Sequence, residues 1–272
     1  MSVHQETGTI LSNKEIAYNH FKLTITAPKI SQSAQTAQFV NIKVSCTTDP
    51  LLRRPFSIYE TNCSHPTNTV SSKRSNTTSI PSTISIIYKV IGRGTQLLST
   101  FKAGHELNLL GPLGNGFEIP DPSAKTAFIA GGVGIASLNS FTKKMTNGFD
   151  LFYGVKTKTE ILELDHWQTL ADTLHITTDD GSFGQKGMIT SLFQPQSDHY
   201  EQVVCCGPEA MMKAIHKLCS KSCHSYFILE ETMACGLGLC MGCVTKTKAG
   251  YQRICKDGPV FKGSDLIWSN NH

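Results

Sequence analysis

The sequence predicts a multidomain β + α/β chain: an N-terminal antiparallel β-barrel, a central open parallel α/β domain and a small C-terminal cysteine-rich module. Three observations carry this expectation. Runs with partial apolar–polar alternation dominate the chain before Pro120. After Pro120, strand-like and helix-like segments take turns, the pattern of a parallel sheet covered by helices. Beyond residue 225 the helical period disappears, and four cysteines crowd among glycines between 235 and 255.

In the first part, IAYNHFKLTITA, QFVNIKVSC, PFSIYE, STISIIYKVIG and HELNLLG read as strands bounded by polar turns. Residues 61–82 (TNCSHPTNTVSSKRSNTTSIPS) lack a hydrophobic period and read as a flexible excursion. Glycines make GPLGNGF a tight loop. In the second part, KTAFIAGGVGIASLNSFTKKM reads as strand, glycine turn, helix, and FDLFYGVKTKTEILELDHWQTL repeats the unit. DTLHITTDDG is a further strand, MITSLFQP a short helix, and YEQVVCCGPEAMMKAIHKLC a last strand–turn–helix unit. The expected domains are 1–121, 122–224 and 225–272.

The 272 residues carry a net charge of +4 from 25 basic and 21 acidic side chains, spread without the basic stripe that nucleic-acid binding needs. No apolar run approaches the roughly 20 residues of a membrane-spanning helix. MSVHQETGTILSNKE has no apolar segment of a signal peptide, so a cytoplasmic location is expected. In that compartment the ten cysteines point to metal ligation or thiol chemistry before disulfides.

Cys235, Cys240, Cys243 and Cys255 are spaced C-x4-C-x2-C-x11-C. The opening matches the plant-type spacing for a [2Fe–2S] centre, although the fourth cysteine stands closer than is usual there. Zinc sites commonly pair two C-x2-C knuckles, and only one is present. Gly236, Gly238 and Gly242 let the backbone curl around a cluster and turn N–H groups toward sulfur. Spacing favours iron–sulfur and leaves zinc, or no metal, as alternatives.

Arg54, Pro55, Phe56 and Ser57 lie where a turn enters a strand. The Arg54 fork suits a diphosphate, and the Ser57 hydroxyl suits a flavin ring edge. Lys89 and Val90 end a strand, and Gly94 and Thr95 open a helix as a phosphate nest with a capping hydroxyl. The two places together suggest a dinucleotide lying across the barrel. In the second part, Gly131, Gly132 and Gly134 follow a strand and open a helix, although Ser137 occupies the third-glycine position of the dinucleotide fingerprint. Cys206, Gly207 and Pro208 follow another strand. Both turns fall at strand C-terminal ends, where open sheets bind ligands. Cys206 suits a nicotinamide contact or a buried structural thiol equally, and Cys205 should face the other way into the core. The Asp179–Gly187 loop either borders the cofactor or is a solvated turn. Lys156 and Lys158 leave a 2′-phosphate on the nucleotide open.

RRPFSIY, YKVIGRGTQLLS, GPLGNGF, IAGGVGIASL, DDGSFGQKG, CCGPEAMMKAI, MACGLGLCMGC and CKDGPVF occur in this order. From about residue 10 to 265 the chain resembles the electron-transfer subunit of NAD-dependent type B dihydroorotate dehydrogenase, within the ferredoxin–NADP reductase superfamily. The resemblance implies FAD on the barrel, held by Arg54, Pro55, Phe56, Ser57, Lys89, Val90, Gly94 and Thr95. It implies NAD as diffusible substrate on the α/β domain and a [2Fe–2S] cluster on Cys235, Cys240, Cys243 and Cys255. It further implies a partner, an FMN-containing catalytic subunit of pyrimidine biosynthesis, in a heterotetramer of two of each chain. Electrons then run from dihydroorotate to FMN, through cluster and FAD, to NAD⁺, and no catalytic base is expected on this chain. Two features depart from the pattern: Ser137 stands where the family usually has Pro, and the 61–82 excursion is longer and more polar than usual. The nearest alternatives are a related reductase module serving a hydrogenase or glutamate synthase, and a zinc-stabilised α/β binding protein.

Overall fold

The computed structural model describes residues 2–63 and 81–268. Most of the expected 61–82 excursion therefore lies outside the described residues.

The N-terminal part is one seven-stranded antiparallel sheet. It contains β1 (His4–Ala17), β2 (His20–Thr26), β3 (Phe39–Lys43), β4 (Arg54–Ser57), β5 (Glu60–Asn62), β6 (Thr83–Lys89) and β7 (Glu106–Leu113), ordered β4-β3-β7-β1-β2-β6-β5. The short helix α1 (Pro28–Ser33) follows β2, and α2 (Arg93–Thr100) follows β6. Ile10, Leu23, Ile25, Val40, Ile42, Ile84, Ile86, Leu98 and Leu109 fill the inside of the curl. The expected barrel does not close: the sheet is a half-barrel whose edge strands β4 and β5 do not pair with each other. The chain steps between them through Ile58 and Tyr59, which spend single backbone bonds on Gln38 and on Ser85, too few for a ladder. IAYNHFKLTITA is likewise two strands, because Ala17 pairs with His20 across a hairpin in which Asn19 takes φ +57°. Asparagine tolerates that left-handed conformation, so the turn carries no glycine to announce it. In GPLGNGF, Gly111–Leu113 belongs to β7, and only the remainder is loop.

The central sheet contains β8 (Thr126–Gly131), β9 (Asp150–Val155), β10 (Thr173–Thr178), β11 (Gln185–Lys186), β12 (Gln202–Cys206) and β13 (His224–Ile228) in parallel, ordered β11-β10-β9-β8-β12-β13. Helices α3 (Ile135–Thr142), α4 (Leu164–Leu170), α5 (Ile189–Phe193) and α6 (Glu209–Leu218) lie between its strands along the chain. The C-terminal part adds a hairpin, β14 (Val244–Thr247) with β15 (Gly250–Arg253), a one-turn helix α7 (Ile254–Asp257), and β16 (Val260–Lys262). β16 runs antiparallel beside β13, so the sheet is mixed rather than purely parallel.

Strand alternation splits the core along this sheet. Phe128, Ala130, Tyr153, Val204, Cys206 and Ile228 face one layer, with Leu138, Phe141 and Trp167 from the helices. Ala127, Ile129, Phe152, Val203, Cys205 and Phe227 face the other. That second layer continues without a break into Cys243, Ile254, Cys255 and Phe261, and on to Phe39 and Leu113 of the half-barrel. One apolar layer thus fixes the cysteine-rich part against both sheets.

Candidate redox site

The cysteine loop is built by left-handed turns. Gly236 (φ +68°) and Gly238 (φ +82°) bring the backbone around so that the N–H groups of Leu237 and Leu239 both donate to Cys235 Sγ at 3.4 Å. The hairpin and α7 then return Cys255 to Cys243, and the Cys255 N–H donates to Cys243 Sγ at 3.4 Å. Cys240 neighbours Cys235, and Cys243 neighbours Cys255, closely enough to shift the partner's thiol. The thiols therefore form two pairs. Among the described residues no three His, Cys, Asp or Glu side chains converge on one ion. Two dithiol pairs suit a binuclear cluster, with one pair for each iron, better than the single tetrahedron of zinc.

Burial opposes ionisation of the Cys235 thiol, but the N–H groups of Leu237, Leu239 and Cys240 outweigh it and bring the thiol down to about 6. Burial and the neighbouring Cys243 push Cys255 up to about 12. A bound metal's charge reverses that second effect, because coordination deprotonates a thiol outright. Cys243 and Cys255 are buried, Cys240 is exposed, and the loop presents Leu239 (81% exposed) and Met241 (51% exposed) to solvent beside them.

On the half-barrel, folding brings Arg54 to the Gly94 turn. A Cβ on Gly94 would lie 2.5 Å from Arg54 Nε, so only glycine admits the guanidinium there. The Thr95 hydroxyl accepts from the N–H groups of Ile91 (3.0 Å) and Gly92 (3.2 Å) and donates to the Gly92 carbonyl (2.9 Å). It thereby shapes the nest and leaves the N–H groups of the first helical turn of α2 without intrahelical partners, as at any helix start. Phe56 packs on Tyr88 with ring centroids 5.6 Å apart. Val90 donates its N–H to the Asn19 carbonyl at 2.8 Å. Lys89 pairs with Glu160, 3.0 Å away across the domain junction.

The two glycine turns of the central sheet touch each other. A Cβ on Gly131 would lie 2.7 Å from Pro208, and one on Gly134 would lie 2.6 Å from the Cys206 carbonyl oxygen. Gly207 takes φ +155° and packs on Gly131. Gly131, Gly132, Gly134, Gly207 and Pro208 line one cavity of about 1050 Å³, which Lys89, Lys156 and Asp179 also reach. Lys158 does not line it; its N–H is held by the Ser182 hydroxyl at 2.8 Å.

At the mouth of this cavity the half-barrel and the sheet share a polar chain. Ser137 Oγ donates to Ser57 Oγ at 2.9 Å. The Glu230 carboxyl and the Cys206 thiol lie beside Ser137, and Cys206 Sγ lies 4.0 Å from Glu230 Oε1. Burial, and then the Glu230 charge, raise the Cys206 thiol well above its ordinary range, so it stays a neutral S–H. Glu230 is open to solvent along the cleft, yet its carboxyl end sits between Ser137 and Cys206. That desolvation raises its pKa, with the Ser137 hydrogen bond opposing. Glu230 escaped the sequence reading. A signal was present, since it stands two residues beyond Ile228, the register partner of Cys206, at the same strand-end edge.

A family model described as "Iron-sulfur cluster binding domain of dihydroorotate dehydrogenase B" matches residues 230–267, and one described as "Oxidoreductase NAD-binding domain" matches 128–217. The dihydroorotate dehydrogenase B (NAD(+)) electron transfer subunit of Clostridium acetobutylicum is 39% identical over 80% of this chain and 81% of its own length. The corresponding subunit of Enterococcus faecalis is 36% identical over 98% and 100%, and that of Bacillus velezensis 31% identical over 95% and 97%. Among solved structures, the NADH-dependent reduced ferredoxin–NADP oxidoreductase studied for flavin-based electron bifurcation superposes with a TM-score of 0.82 at 26% identity, covering 96% of this chain and 90% of that one. A ferredoxin–NADP⁺ reductase from Neisseria gonorrhoeae shares the fold, with a TM-score of 0.61 at 16% identity over 79% and 89%. With an iron–sulfur loop, an NAD-binding sheet and near full-length relatives all agreeing, the chain belongs to the family of electron transfer subunits of dihydroorotate dehydrogenase B.

Proposed function

We propose that this chain passes electrons from the FMN of a partner dihydroorotate dehydrogenase catalytic subunit to NAD⁺, by way of a [2Fe–2S] cluster and FAD. The observation that carries the reading is the paired arrangement of Cys235/Cys240 and Cys243/Cys255 on an apolar layer continuous with the flavin-type half-barrel. Residues 1–121 serve FAD, 122–224 serve NAD and 225–272 the cluster, with β13 and β16 tying the last to the sheet of the second. Arg54 and the Gly94–Thr95 turn hold the diphosphate, Pro55 and Phe56 border the flavin, and Ser57 faces its reactive edge. Lys89 and Val90 close the far side. Gly131, Gly132, Gly134, Gly207 and Pro208 seat the nicotinamide half of NAD, with Cys206 buried behind them rather than on the cavity wall. Bound FAD supplies two-electron exchange with NAD and one-electron exchange with the cluster. Exposed Leu239 and Met241 give the apolar surface a catalytic subunit would cover, in a heterotetramer of two of each chain in the cytoplasm. Among the described residues no helix is long and apolar enough to cross a membrane.

The protein's own contribution at the flavin edge is a proton path. Glu230 lies beside Ser137, whose hydroxyl donates to Ser57 Oγ, so the three side chains line up from the solvent-open cleft to Ser57. Desolvation raises the Glu230 carboxyl pKa, so it holds its proton to higher pH than an ordinary glutamate. Glu230→Gln is expected to slow NADH-driven ferricyanide reduction by about 10²-fold and to flatten its pH dependence. A wild-type rate and pH profile in that variant would remove the relay.

Asp179 stands one residue beyond β10, at the cavity wall, where an acidic side chain accepts from a ribose 2′-hydroxyl and repels a 2′-phosphate. NADH should therefore bleach the flavin band at least about tenfold faster than NADPH at equal concentration, a preference on the scale of one good hydrogen bond to a charged group. Equal rates would assign the nearby Lys156 to a 2′-phosphate instead. The whole reading is tested by quantifying iron, sulfide and flavin in anaerobically purified protein. About two irons, two sulfides and one FAD per chain are expected, and zinc without flavin would overturn it.

A further inference from the structure

β3 has two faces of different kinds. Val40 and Ile42 point into the half-barrel core, whereas Phe39 packs with Cys243, Cys255 and Phe261 in the layer beneath the cysteine loop. Asn41 shares the Phe39 face by strand alternation. It is 1% exposed, and neither Nδ2 nor Oδ1 has a hydrogen-bond partner among the described residues. Its amide is aimed at the loop: a Cβ on Gly236 would lie 2.1 Å from Asn41 Nδ2, with Leu113 as the next neighbour at 3.4 Å. Gly236 directly follows Cys235, whose sulfur already accepts from the N–H groups of Leu237 and Leu239. A leucine of the same branched outline would occupy this space without an orphaned amide, so a carboxamide here needs a polar partner from the cysteine loop.

We propose that Asn41 Nδ2 donates a hydrogen bond to a sulfur of the cluster at its Cys235 side, and so sets the cluster's reduction potential; the inference rests on the [2Fe–2S] reading above. A hydrogen bond to sulfur stabilises the reduced cluster, which carries one more negative charge, and moves the potential upward. Asn41 is also the register partner of Pro55 on β4, the strand proposed to border the flavin. One side chain thus sits between the cysteine loop and the flavin strand, as a positioning residue for electron passage rather than a ligand.

Two measurements on the full-length holoprotein test this. In the first, the cluster potential is titrated spectroelectrochemically in wild type, Asn41→Leu and Asn41→Asp, with iron and sulfide counted in each. Unchanged iron with a more negative potential in both variants, most negative in Asn41→Asp, is expected. In the second, wild type carrying asparagine labelled with ¹⁵N in the side-chain amide is reduced with dithionite and examined by pulsed EPR. A ¹⁵N coupling to the cluster is expected, and it should vanish in Asn41→Asp. If the variants fail to assemble a cluster, the wild-type coupling decides alone. Unshifted potentials with no ¹⁵N coupling, or loss of flavin with an unshifted cluster, overturn the role of Asn41 while leaving the cluster in place. Wild-type protein without iron overturns the cluster reading itself.

Discussion

Cys243→Ser is expected to purify with iron and sulfide reduced from about two of each per chain to well below one. Its FAD and its bleaching by NADH should be retained. Cys243 is 2% exposed, receives the Cys255 N–H and belongs to the layer that joins the module to both sheets. Serine keeps the shape and the hydrogen bond but offers a harder oxygen on a shorter bond, a poor ligand for a soft iron–sulfur unit. Since Arg54, Gly94 and the Ser57–Ser137 contact lie on other elements, flavin chemistry should survive while electron exchange with the catalytic subunit is lost. Cys219→Ser is the matched control. Cys219 lies beside Cys223 just past the end of α6, outside the cysteine loop in the chain, and its replacement should leave iron content unchanged. Full iron content in Cys243→Ser, or iron loss in Cys219→Ser, would displace the ligand assignment.

The alternation of strand and helix after Pro120 was legible because each unit carries its own period, and the first and last carry glycine turns between strand and helix. The packing of Cys206 and Cys205 on opposite layers followed from strand geometry alone. What escaped has common physical causes. The half-barrel stays open because the Ile58 and Tyr59 N–H groups go to Gln38 and Ser85 on opposite sides rather than into a ladder between β4 and β5, and apolar alternation does not record whether edges meet. β16 is three residues long and has no detectable period. The polar residues missed were those whose role depends on a distant neighbour: Asn41 reads as one polar residue within FVNIK, and Glu230 as a charge after a strand. By sequence Ser137 stands only where the family usually has Pro, whereas in the fold its hydroxyl donates to Ser57 beside Cys206 and Glu230. Sequence local to a glycine turn announces a phosphate or cluster loop, but it does not announce the side chain that another element lays against it.

The second large effect belongs to Arg54. Its Nη1 donates to the Leu52 carbonyl at 2.6 Å, which anchors one end of the guanidinium, while Nε lies over the Gly94 turn. The remaining donors face the start of α2, where the proposed diphosphate would also meet unpaired first-turn N–H groups. Hydrogen bonds to a charged group contribute about 1.5–3 kcal/mol, so Arg54→Ala should weaken FAD binding by about 10- to 150-fold at 1.4 kcal/mol per decade. The protein should then purify with substoichiometric flavin, recoverable on adding FAD. Arg54→Lys should recover only part of the affinity, because an ammonium has the charge but not the planar fork that spans carbonyl and diphosphate together. Gly94→Ala is the complementary change on the other wall, since its methyl would push the guanidinium out of place without removing its charge. If Arg54 acts through the diphosphate, both variants weaken FAD while iron content stays at the wild-type level. FAD affinity unchanged in Arg54→Ala would place the diphosphate elsewhere on the half-barrel. Flavin and iron lost together would mean that Arg54 holds the fold rather than the cofactor.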